Sequence, residues 1–460
     1  MIINDLGCKP YAAPESYDNP VGAIHWPSIP NAKAARTLSL LKYMDYSQWL
    51  SLAEIRLQQF NQLRLLLNYS REHAPFYRDF DPLVSINDAP EQLMLQWAQV
   101  PILTRDQLQK NFDDICSKTL PAEYGQPQRM SSSGSTGKPV SILTDIVGQF
   151  FWNAITLRHY AWHGIKHENS LASIRDTDAS FPGKQFDNWG TATKGVIKTG
   201  PLFLLGICDP KSQLNWLKTV NPHYLICYPT VLREILALNI DGLERLSHIT
   251  TFGELVDESL YKNVQNQLGV PMHDMYSSTE VGYIALQCPE YGNYHIQEEN
   301  VLVEVLNAKN QPCFPGEVGR IVITSLHNLA SPLIRYEIGD YAEVGEECPC
   351  KRGLGVLRRI LGRQRNMITL PTGEKRWPTF TGDRAENLIT MLKSTQFQVI
   401  QKTLYDIEIK VVFSGATLPE QTIIPIVQSL FGYPFNIHFV YVDDIPRSAR
   451  GKYEDFKSEL

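Results

Sequence analysis

The chain has 460 residues, of which 43% are hydrophobic and 20% are charged, and its formal net charge is -6 at pH 7. These values are ordinary for a globular protein of more than one domain, and the acidic balance indicates neither a nucleic acid nor an anionic membrane as a partner. The sequence lacks an apolar run of membrane-spanning length, and its first residues, MIINDLGCKPYAAP, lack a signal-peptide pattern. It therefore predicts a cytoplasmic protein.

The first half of the chain begins with helical patterns. Apolar residues recur at helical spacing between Tyr46 and Glu72. The segment VPILTRDQLQKNF (100–112) indicates the end of a strand followed by a helix that is capped at Thr104. These segments predict structure and carry no chemistry of their own.

The stretch SSSGSTGKPV (131–140) combines small hydroxyls, two glycines and one lysine. Glycines let the backbone approach a phosphate closely, hydroxyls and N–H groups donate to its oxygens, and a lysine adds positive charge. Two residues separate Gly134 from Gly137 and a proline follows Lys138, which differs from the P-loop pattern. Because both flanks alternate like strands, the stretch predicts a strand–loop–strand unit that binds a polyphosphate. A polar turn without a ligand is the alternative.

The next segments indicate an α/β fold. Asp145 to Gly164 predicts an amphipathic helix that is rich in aromatic residues. The segments 222–236 and 248–269 each show a buried strand, a turn and a helix. Strands that alternate with helices predict a parallel sheet.

Two further motifs follow, YSSTE (276–280) and GD (339–340). Tyr276 offers a flat face for adenine, Thr279 a hydroxyl for a phosphate, and Glu280 a hard oxygen for Mg²⁺. Asp340 is suited to accept hydrogen bonds from ribose hydroxyls. The alternatives are that Glu280 begins a helix and that Asp340 caps a turn.

Four residues predict a zinc site, namely Cys288, His295, Cys348 and Cys350. A disulfide between Cys348 and Cys350 would be strained, whereas side chains at i and i+2 of an extended segment point the same way and suit a shared metal. Three thiolates and one imidazole form the closed shell of a structural zinc ion. The alternative is four unliganded side chains.

The last part of the chain predicts a small domain. The segment GRQRNM (362–367) precedes two strands within 397–413, a helix over 419–431 and a strand over 436–443. Lys452 follows a glycine in the C-terminal tail. By itself, such a lysine is expected to be solvated.

Taken in order, these motifs resemble those of the adenylate-forming acyl- and aryl-CoA synthetases, and most closely the branch of phenylacetate–CoA ligases and capsule-type homologues. The resemblance extends from about residue 69 to the end of the chain. It implies an α/β fold with a large N-terminal adenylation domain (1–364) of mixed sheets, helices and a small distorted β-barrel. A small, mobile α+β C-terminal lid domain (365–460) would follow. Two residues depart from the family pattern, since Ser277 replaces a usual glycine and Arg365 replaces the usual hinge acid.

The resemblance also implies a set of site residues. The nucleotide would be bound by Ser131, Ser132, Ser133, Gly134, Ser135, Thr136, Gly137, Lys138, Gly253, Glu254, Tyr276, Ser277, Ser278, Asp340 and Arg363. The catalytic residues would be Thr279, Glu280 and Lys452, with Glu280 as the Mg²⁺ ligand.

The activity that the resemblance implies is ATP-dependent and AMP-forming. A carboxylic acid would be activated as an acyl-adenylate and passed to a thiol, by default coenzyme A. Aromatic residues such as Phe151, Trp152, Trp189 and Tyr228 hint at an aromatic acid, although such residues are more often core. Two alternatives remain, namely transfer to an amine or carrier protein, and a non-catalytic scaffold that binds nucleotide. The expected cofactors are ATP, Mg²⁺, coenzyme A and a structural Zn²⁺.

Overall fold

The computed structural model describes residues 29–78, 90–131, 139–238, 240–363, 367–376, 394–413, 419–445 and 456–460. Three of the predicted functional features lie outside these ranges, namely the loop residues Ser132 to Lys138, the hinge residue Arg365 and Lys452. The side chain of Arg363 also lies outside the description, although its backbone is included. The roles of these residues therefore stay predictions.

The helices of the described chain are α1 (Ala32–Ser47), α2 (Leu52–His73), α3 (Pro75–Arg78), α4 (Pro90–Gln96), α5 (Arg105–Lys110), α6 (Phe112–Ile115), α7 (Ile146–Trp162), α8 (Pro210–Val220), α9 (Pro229–Leu236), α10 (Glu258–Leu268) and α11 (Glu420–Phe431). Side-chain caps explain where several of them begin. The hydroxyl of Thr104 accepts from the backbone N–H of Gln107 at the start of α5, as the sequence predicted. The carboxylate of Asp145 accepts from the N–H of Gly148 at the start of α7.

The strands are β1 (Gln128–Ser131), β2 (Ser141–Thr144), β3 (Leu171–Arg175), β4 (Lys184–Phe186), β5 (Leu202–Gly206), β6 (Tyr224–Cys227), β7 (His248–Phe252), β8 (Met272–Ser278), β9 (Gly282–Gln287), β10 (Tyr294–Ile296), β11 (Val301–Leu306), β12 (Val318–Ser325), β13 (Tyr336–Val344), β14 (Val356–Arg363), β15 (Ile368–Thr369), β16 (Lys375–Arg376), β17 (Ser394–Gln401), β18 (Asp406–Phe413), β19 (Asn436–Val442) and β20 (Phe456–Ser458). The segments 222–236 and 248–269 each contain the predicted strand and helix.

Within the described residues, one 12-stranded sheet has the order β11-β12-β13-β14-β10-β9-β8-β7-β6-β3-β5-β4. Strands β5, β3, β6, β7 and β8 are parallel, as the alternation of strands and helices predicted. From β8 through β9 to β11 the strands are antiparallel, and they continue the same sheet. Among the described residues, these antiparallel strands are therefore hydrogen-bonded to the parallel half, and the expected small distorted β-barrel does not form a sheet of its own. The predicted mixed α/β fold is confirmed.

Helices cover both faces of the parallel half. Val231 of α9 and Leu260 of α10 share a buried core with Ile249 of β7. Met44 of α1 and Ile155 of α7 belong to a different core, which includes sheet residues such as Leu286. The helix α7 thus lies on the face opposite α9 and α10. Because the helices cover the two faces, the loops that follow the parallel strands converge at the carboxyl ends of these strands.

The C-terminal residues form a separate small α+β unit. Its sheet has the order β19-β18-β17-β20, and the helix α11 contributes Val427 to a core of its own. Ile368 and Leu370 also pack in this core, although they precede the C-terminal strands. This packing agrees with a boundary at 364/365, which stays a prediction because residues 364–366 lie outside the description. The amide of Gln396 donates to Glu234 of α9 at 2.8 Å and thus joins this unit to the large one.

Among the described residues, every helix is too short or too polar to cross a membrane.

Candidate active site

The predicted strand–loop–strand unit contains an antiparallel pair of strands. Strand β1 pairs with β2 so that Ser131 lies opposite Ser141, and their hydroxyl oxygens are 3.0 Å apart. The amide of Asn328 donates to the carbonyl of Leu143 at 2.8 Å, which fastens β2 to the large sheet. The strands that flank the loop are confirmed, and the phosphate-binding role of the loop stays a prediction.

Three of the predicted residues lie at the carboxyl ends of the neighbouring strands β7 and β8 or on the turn that follows. Gly253 directly follows β7, Tyr276 lies near the end of β8, and Glu280 lies on the turn between β8 and β9. The hydroxyl of Tyr276 donates to a carboxylate oxygen of Asp340 on β13 at 2.8 Å. Two motifs that are distant in the sequence therefore meet here. We call Gly253, Tyr276, Glu280 and Asp340 the strand-end site.

Asp340 and Arg363 are cross-strand partners in the pair formed by β13 and β14. A glycine with a positive φ angle precedes each of them, with 89° at Gly339 and 77° at Gly362. Glycine adopts this left-handed backbone at little cost, whereas other residues are strained in it. Asp340, which was predicted to bind the ribose, and Arg363, which was predicted to bind the ribose or a phosphate, therefore lie side by side in the sheet.

Glu280 is buried, with 5% of its surface exposed. A guanidinium nitrogen of Arg105, the first residue of α5, lies 3.8 Å from its carboxylate. This cation offsets part of the cost of burying the negative charge. Arg105 was not predicted from the sequence, because nothing near Thr104 in the chain indicates that α5 reaches the turn after β8.

Glu254 has a structural partner in addition to its predicted role. Its carboxylate accepts from the backbone N–H of Thr230 at 3.0 Å and from the Thr230 hydroxyl at 2.8 Å. Because Thr230 lies in the first turn of α9, the negative charge of Glu254 also stabilises the positive end of the dipole of that helix. Its place beside the nucleotide stays a prediction.

Aromatic side chains line part of the same edge. The ring of Trp152 stacks on Tyr283 with 4.3 Å between centroids, and a Cβ atom on Gly282 would lie 3.4 Å from it. Tyr228 follows β6 and packs on Phe252, with 4.7 Å between centroids. Both lie near the strand-end site.

Trp189 has a different position from the one that the sequence hinted at. It is buried at 7% exposure and packs edge-to-face against Tyr160 and Tyr224. Tyr224 is the first residue of β6, so this cluster lies at the amino end of the strand, opposite the site. Trp189 is a core residue.

The four predicted zinc ligands come together. Cys288 follows β9, His295 lies on β10, and Cys348 and Cys350 lie between β13 and β14. Each offers one ligand atom, and these atoms all lie within 4.8 Å of one another. The sulfurs of Cys288 and Cys348 are 3.9 Å apart, and the sulfur of Cys350 is 3.2 Å from the ring of His295.

These distances fit a tetrahedral ion better than a disulfide. A disulfide needs about 2.05 Å between sulfurs, whereas two sulfurs at 2.3 Å from one zinc lie about 3.8 Å apart. All seven described cysteines are free. The amide of Asn293 also lies 3.6 Å from the sulfur of Cys348, as a donor that orients a thiolate would. The donor set therefore fits zinc.

The chain is similar to proteins of one group. Residues 384–459 match the family model described as the CapK C-terminal domain. Protein CapK of Staphylococcus aureus is 24% identical over 423 residues, which are 87% of this chain and 88% of that protein. A phenylacetate-coenzyme A ligase of Thermus thermophilus is 24% identical over 359 residues, with 74% and 77% covered. One from Escherichia coli is 22% identical over 347 residues, with 71% and 75% covered.

Solved structures share the fold. A 2-hydroxyisobutyryl-CoA ligase in the postadenylation state with 2-HIB-AMP has a TM-score of 0.68 at 18% identity, with 89% of this chain and 90% of that chain covered. The same ligase in the thioesterification state has a TM-score of 0.57 at 20% identity, with 89% and 91% covered. An anthranilate CoA ligase with anthranoyl-AMP has a TM-score of 0.54 at 16% identity, with 70% and 64% covered. The resemblance that the motifs indicated is confirmed.

Proposed function

We infer that the chain belongs to the adenylate-forming acyl- and aryl-CoA synthetases, and we propose that it is an ATP-dependent, AMP-forming ligase that joins a carboxylic acid to a thiol. The hydrogen bond between Tyr276 and Asp340 carries this proposal. It brings the predicted adenine and ribose residues together at the carboxyl end of a mixed sheet, where α/β proteins bind nucleotides. The relatives, several of which are named as coenzyme A ligases, support the same conclusion.

The strand-end site suits a nucleoside. The hydroxyl of Tyr276 donates to Asp340, and we assign the ring of this tyrosine to pack on adenine. A carboxylate accepts several hydrogen bonds, so Asp340 is able to bond ribose hydroxyls while it accepts from Tyr276. We assign Arg363, its cross-strand neighbour, to the ribose or a phosphate.

The phosphates are assigned to the elements on either side. We propose that residues 131–138 hold the leaving β- and γ-phosphates and that Thr279 bonds the α-phosphate. Glu280 would hold Mg²⁺, which neutralises phosphate charge when it is bound. Arg105 adds positive charge beside Glu280 and keeps that carboxylate in place.

The reaction has two halves. In the first, a carboxylate oxygen forms a bond to the α-phosphorus, and the bond from that phosphorus to pyrophosphate breaks. In the second, a thiolate attacks the acyl carbon and AMP leaves. We propose that Lys452 bonds the carboxylate and the α-phosphate in the first half, and that the C-terminal domain then rotates about Arg365.

The acid is proposed to be aromatic or otherwise flat. Trp152 is 36% exposed and lies against Gly282, directly after the YSSTE turn, so its face borders the expected position of the acid. Tyr228, at the end of β6, adds a second aromatic ring. The acceptor is proposed to be coenzyme A, since the similar ligases act with it. Because ATP and coenzyme A are cytoplasmic metabolites, we place the protein in the cytoplasm.

We further propose that Cys288, His295, Cys348 and Cys350 bind one structural zinc ion. The ion would fix β10 to the segment between β13 and β14. Asp340 lies on β13, directly before this segment in the chain. Elemental analysis of the purified proteins is expected to find one zinc ion per chain fewer in Cys348→Ser than in the wild type. Cys313→Ser, at a free cysteine outside the cluster, serves as the control. An equal zinc content in Cys348→Ser and in the wild type would contradict this assignment.

Exchange of labelled pyrophosphate into ATP tests the ligase. The assay covers aryl, arylacetic and short aliphatic acids, and we expect exchange that depends on one class of flat acid. A chain that binds ATP but shows no exchange with any acid would be a nucleotide-binding scaffold. AMP release with and without coenzyme A then identifies the acceptor. Release that is independent of coenzyme A but stimulated by an amine or a carrier protein would overturn the choice of thiol.

A further inference from the structure

Three histidines from three separate elements meet between α7 and the sheet. His163 directly follows α7, His248 begins β7, and His273 is the second residue of β8. Each offers one ring nitrogen, and these three nitrogens all lie within 4.8 Å of one another. The ring centroids of His163 and His273 are 3.9 Å apart, and those of His248 and His273 are 5.0 Å apart. We call His163, His248 and His273 the histidine cluster.

The register of the sheet explains why the side chains converge. Thr250 of β7 pairs with His273 of β8, so these two residues face the same side of the sheet. His248 lies two residues before Thr250 and faces that side as well. The ring of His159 on α7 lies 3.2 Å from the hydroxyl of Thr250, which shows that α7 covers this side. His163 follows His159 by one helical turn and reaches the same point.

The hydrogen bonding of the cluster is incomplete. Within the described part of the chain, neither ring nitrogen of His163 has a hydrogen-bond partner. The same holds, among those residues, for one ring nitrogen of His248 and one of His273. Buried polar atoms are nearly always paired, so a cluster of rings with several unpaired nitrogens calls for a shared partner.

His273 also lies near a backbone carbonyl. One of its ring nitrogens is unpaired among the described residues, and, although burial lowers the pKa of His273, the carbonyl of Pro289 acts on the ring to raise that pKa. Metal-binding histidines typically donate their second ring nitrogen to such a carbonyl, which fixes the tautomer and the orientation of the ring.

The surroundings keep the rings neutral, which is the form that binds metals. Burial lowers the pKa of His248 to about 3 and that of His273 to about 4. Burial also lowers the pKa of His163, and its histidine neighbours and Arg352 add to the effect. A neutral imidazole carries a lone pair on one nitrogen, whereas a protonated ring carries none.

We propose that His163, His248 and His273 bind one divalent transition-metal ion of the zinc class, with water as the fourth ligand. Imidazole suits Zn²⁺ and its neighbours, and three nitrogens on a tetrahedral zinc lie about 3.3 Å apart, so nitrogens that lie within 4.8 Å of one another would move closer when the ion binds. This site and the cysteine cluster share no residue, and this site contains no thiolate. The ion would connect the C-terminal end of α7 to the start of β8. Trp152 lies elsewhere on the same helix, and Tyr276 lies near the end of the same strand.

The test uses Co²⁺ as a probe in the full chain, stripped with a chelator and then refilled. We expect two cobalt ions per chain by elemental analysis. Only the cysteine site produces an intense thiolate-to-cobalt charge-transfer band. His163→Gln combined with His273→Gln is expected to lose one cobalt and to keep this band unchanged. His438→Gln, at a histidine with a 64% exposed side chain in the C-terminal domain, is expected to keep both ions.

A second variant answers the question even if the histidine variant fails to fold. Cys348→Ser combined with Cys350→Ser is expected to bind one cobalt without the charge-transfer band. Its proton spectrum is expected to contain paramagnetically shifted resonances from imidazole N–H groups. A single cobalt in the wild-type chain, or no cobalt in this cysteine variant, would show that the histidine cluster is only a stacked part of the core.

Discussion

Each carboxylate of the proposed nucleotide site has a partner in the protein. Asp340 accepts from Tyr276, Glu280 lies beside Arg105, and Glu254 accepts from the first turn of α9. Such partners hold the side chains in one geometry, so these side chains lose less conformational entropy when a ligand binds. The individual residues are therefore best tested through their partners as well as through direct removal.

Tyr276→Phe removes the hydroxyl that orients Asp340 and keeps the aromatic face. We expect the KM for ATP to rise about tenfold, which corresponds to about 1.4 kcal/mol, with a smaller effect on kcat. Steady-state pyrophosphate exchange measures both constants. Tyr77→Phe is the matched control. It also removes a buried tyrosine hydrogen bond, of 2.7 Å to the carbonyl of Pro332, and neither of these two residues belongs to the proposed site. Equal changes in KM for the two variants would exclude a specific role for Tyr276.

Glu280→Gln removes the proposed Mg²⁺ ligand with little change in volume. We expect exchange to fall at least about 100-fold, because the phosphates lose an ion that neutralises their charge. A Mg²⁺ titration of exchange is expected to show a higher half-saturating concentration. Glu343→Gln serves as the control, since Glu343 is also buried and is paired with Arg359. An unchanged Mg²⁺ dependence in Glu280→Gln would rule out Glu280 as the ligand.

At the scale of elements, patterns within one segment were predictable and contacts between distant segments were not. The period of apolar residues and the cap at Thr104 predicted helices and strands, because these depend on neighbours in the chain. The segment 295–306 has a strand-like sequence throughout, but β10 ends at Ile296 and β11 begins at Val301, since a turn at 298–300 lies between them. The bond from Tyr276 to Asp340 and the contact of Arg105 with Glu280 depend on tertiary packing, which no local pattern encodes.

Strand β8 carries a pH-sensitive group inside the sheet. Asp274 is buried and accepts from Thr251 at 2.7 Å and from Tyr294 at 2.9 Å. Burial raises its pKa to about 6, although these hydrogen bonds oppose the shift. The folded chain therefore holds a proton that the unfolded chain releases near pH 4, so the contribution of Asp274 to stability is lost as the pH rises towards 6.

Asp274→Asn removes this titration. The free energy of unfolding of the wild type, relative to that of Asp274→Asn, is expected to fall by up to about 3 kcal/mol between pH 4 and pH 7. Urea unfolding of both proteins across this range measures the difference between their free energies of unfolding. The buried histidines make an opposite contribution, but they are present in both proteins, so their contribution cancels in this difference. A difference that stays constant or rises with pH would show that Asp274 is ionised throughout.

At the scale of the whole molecule, the proposed function requires the two domains to act on one substrate. The overall structure is more similar to the 2-hydroxyisobutyryl-CoA ligase in its postadenylation state than in its thioesterification state, with TM-scores of 0.68 and 0.57. The contact of Gln396 with Glu234 joins the domains in this arrangement. Rotation of the C-terminal domain between the two half-reactions would break this contact, as lid movements in other ligases exchange one set of contacts for another.

The lysine of the C-terminal tail tests this division of labour. Lys452→Ala is expected to reduce pyrophosphate exchange at least about 100-fold, because the first half-reaction loses a cation at the α-phosphate and the carboxylate. Thioester formation from a supplied acyl-adenylate is expected to change less than about threefold, because the second half-reaction uses the rotated arrangement. Lys457→Ala is the matched control, since Lys457 lies on β20 and pairs with Glu459 at 2.9 Å. Exchange within a few-fold of the wild type in Lys452→Ala would mean that another residue supplies the charge. Equal losses in both half-reactions would mean that the tail acts on the structure of the whole domain and not on one step.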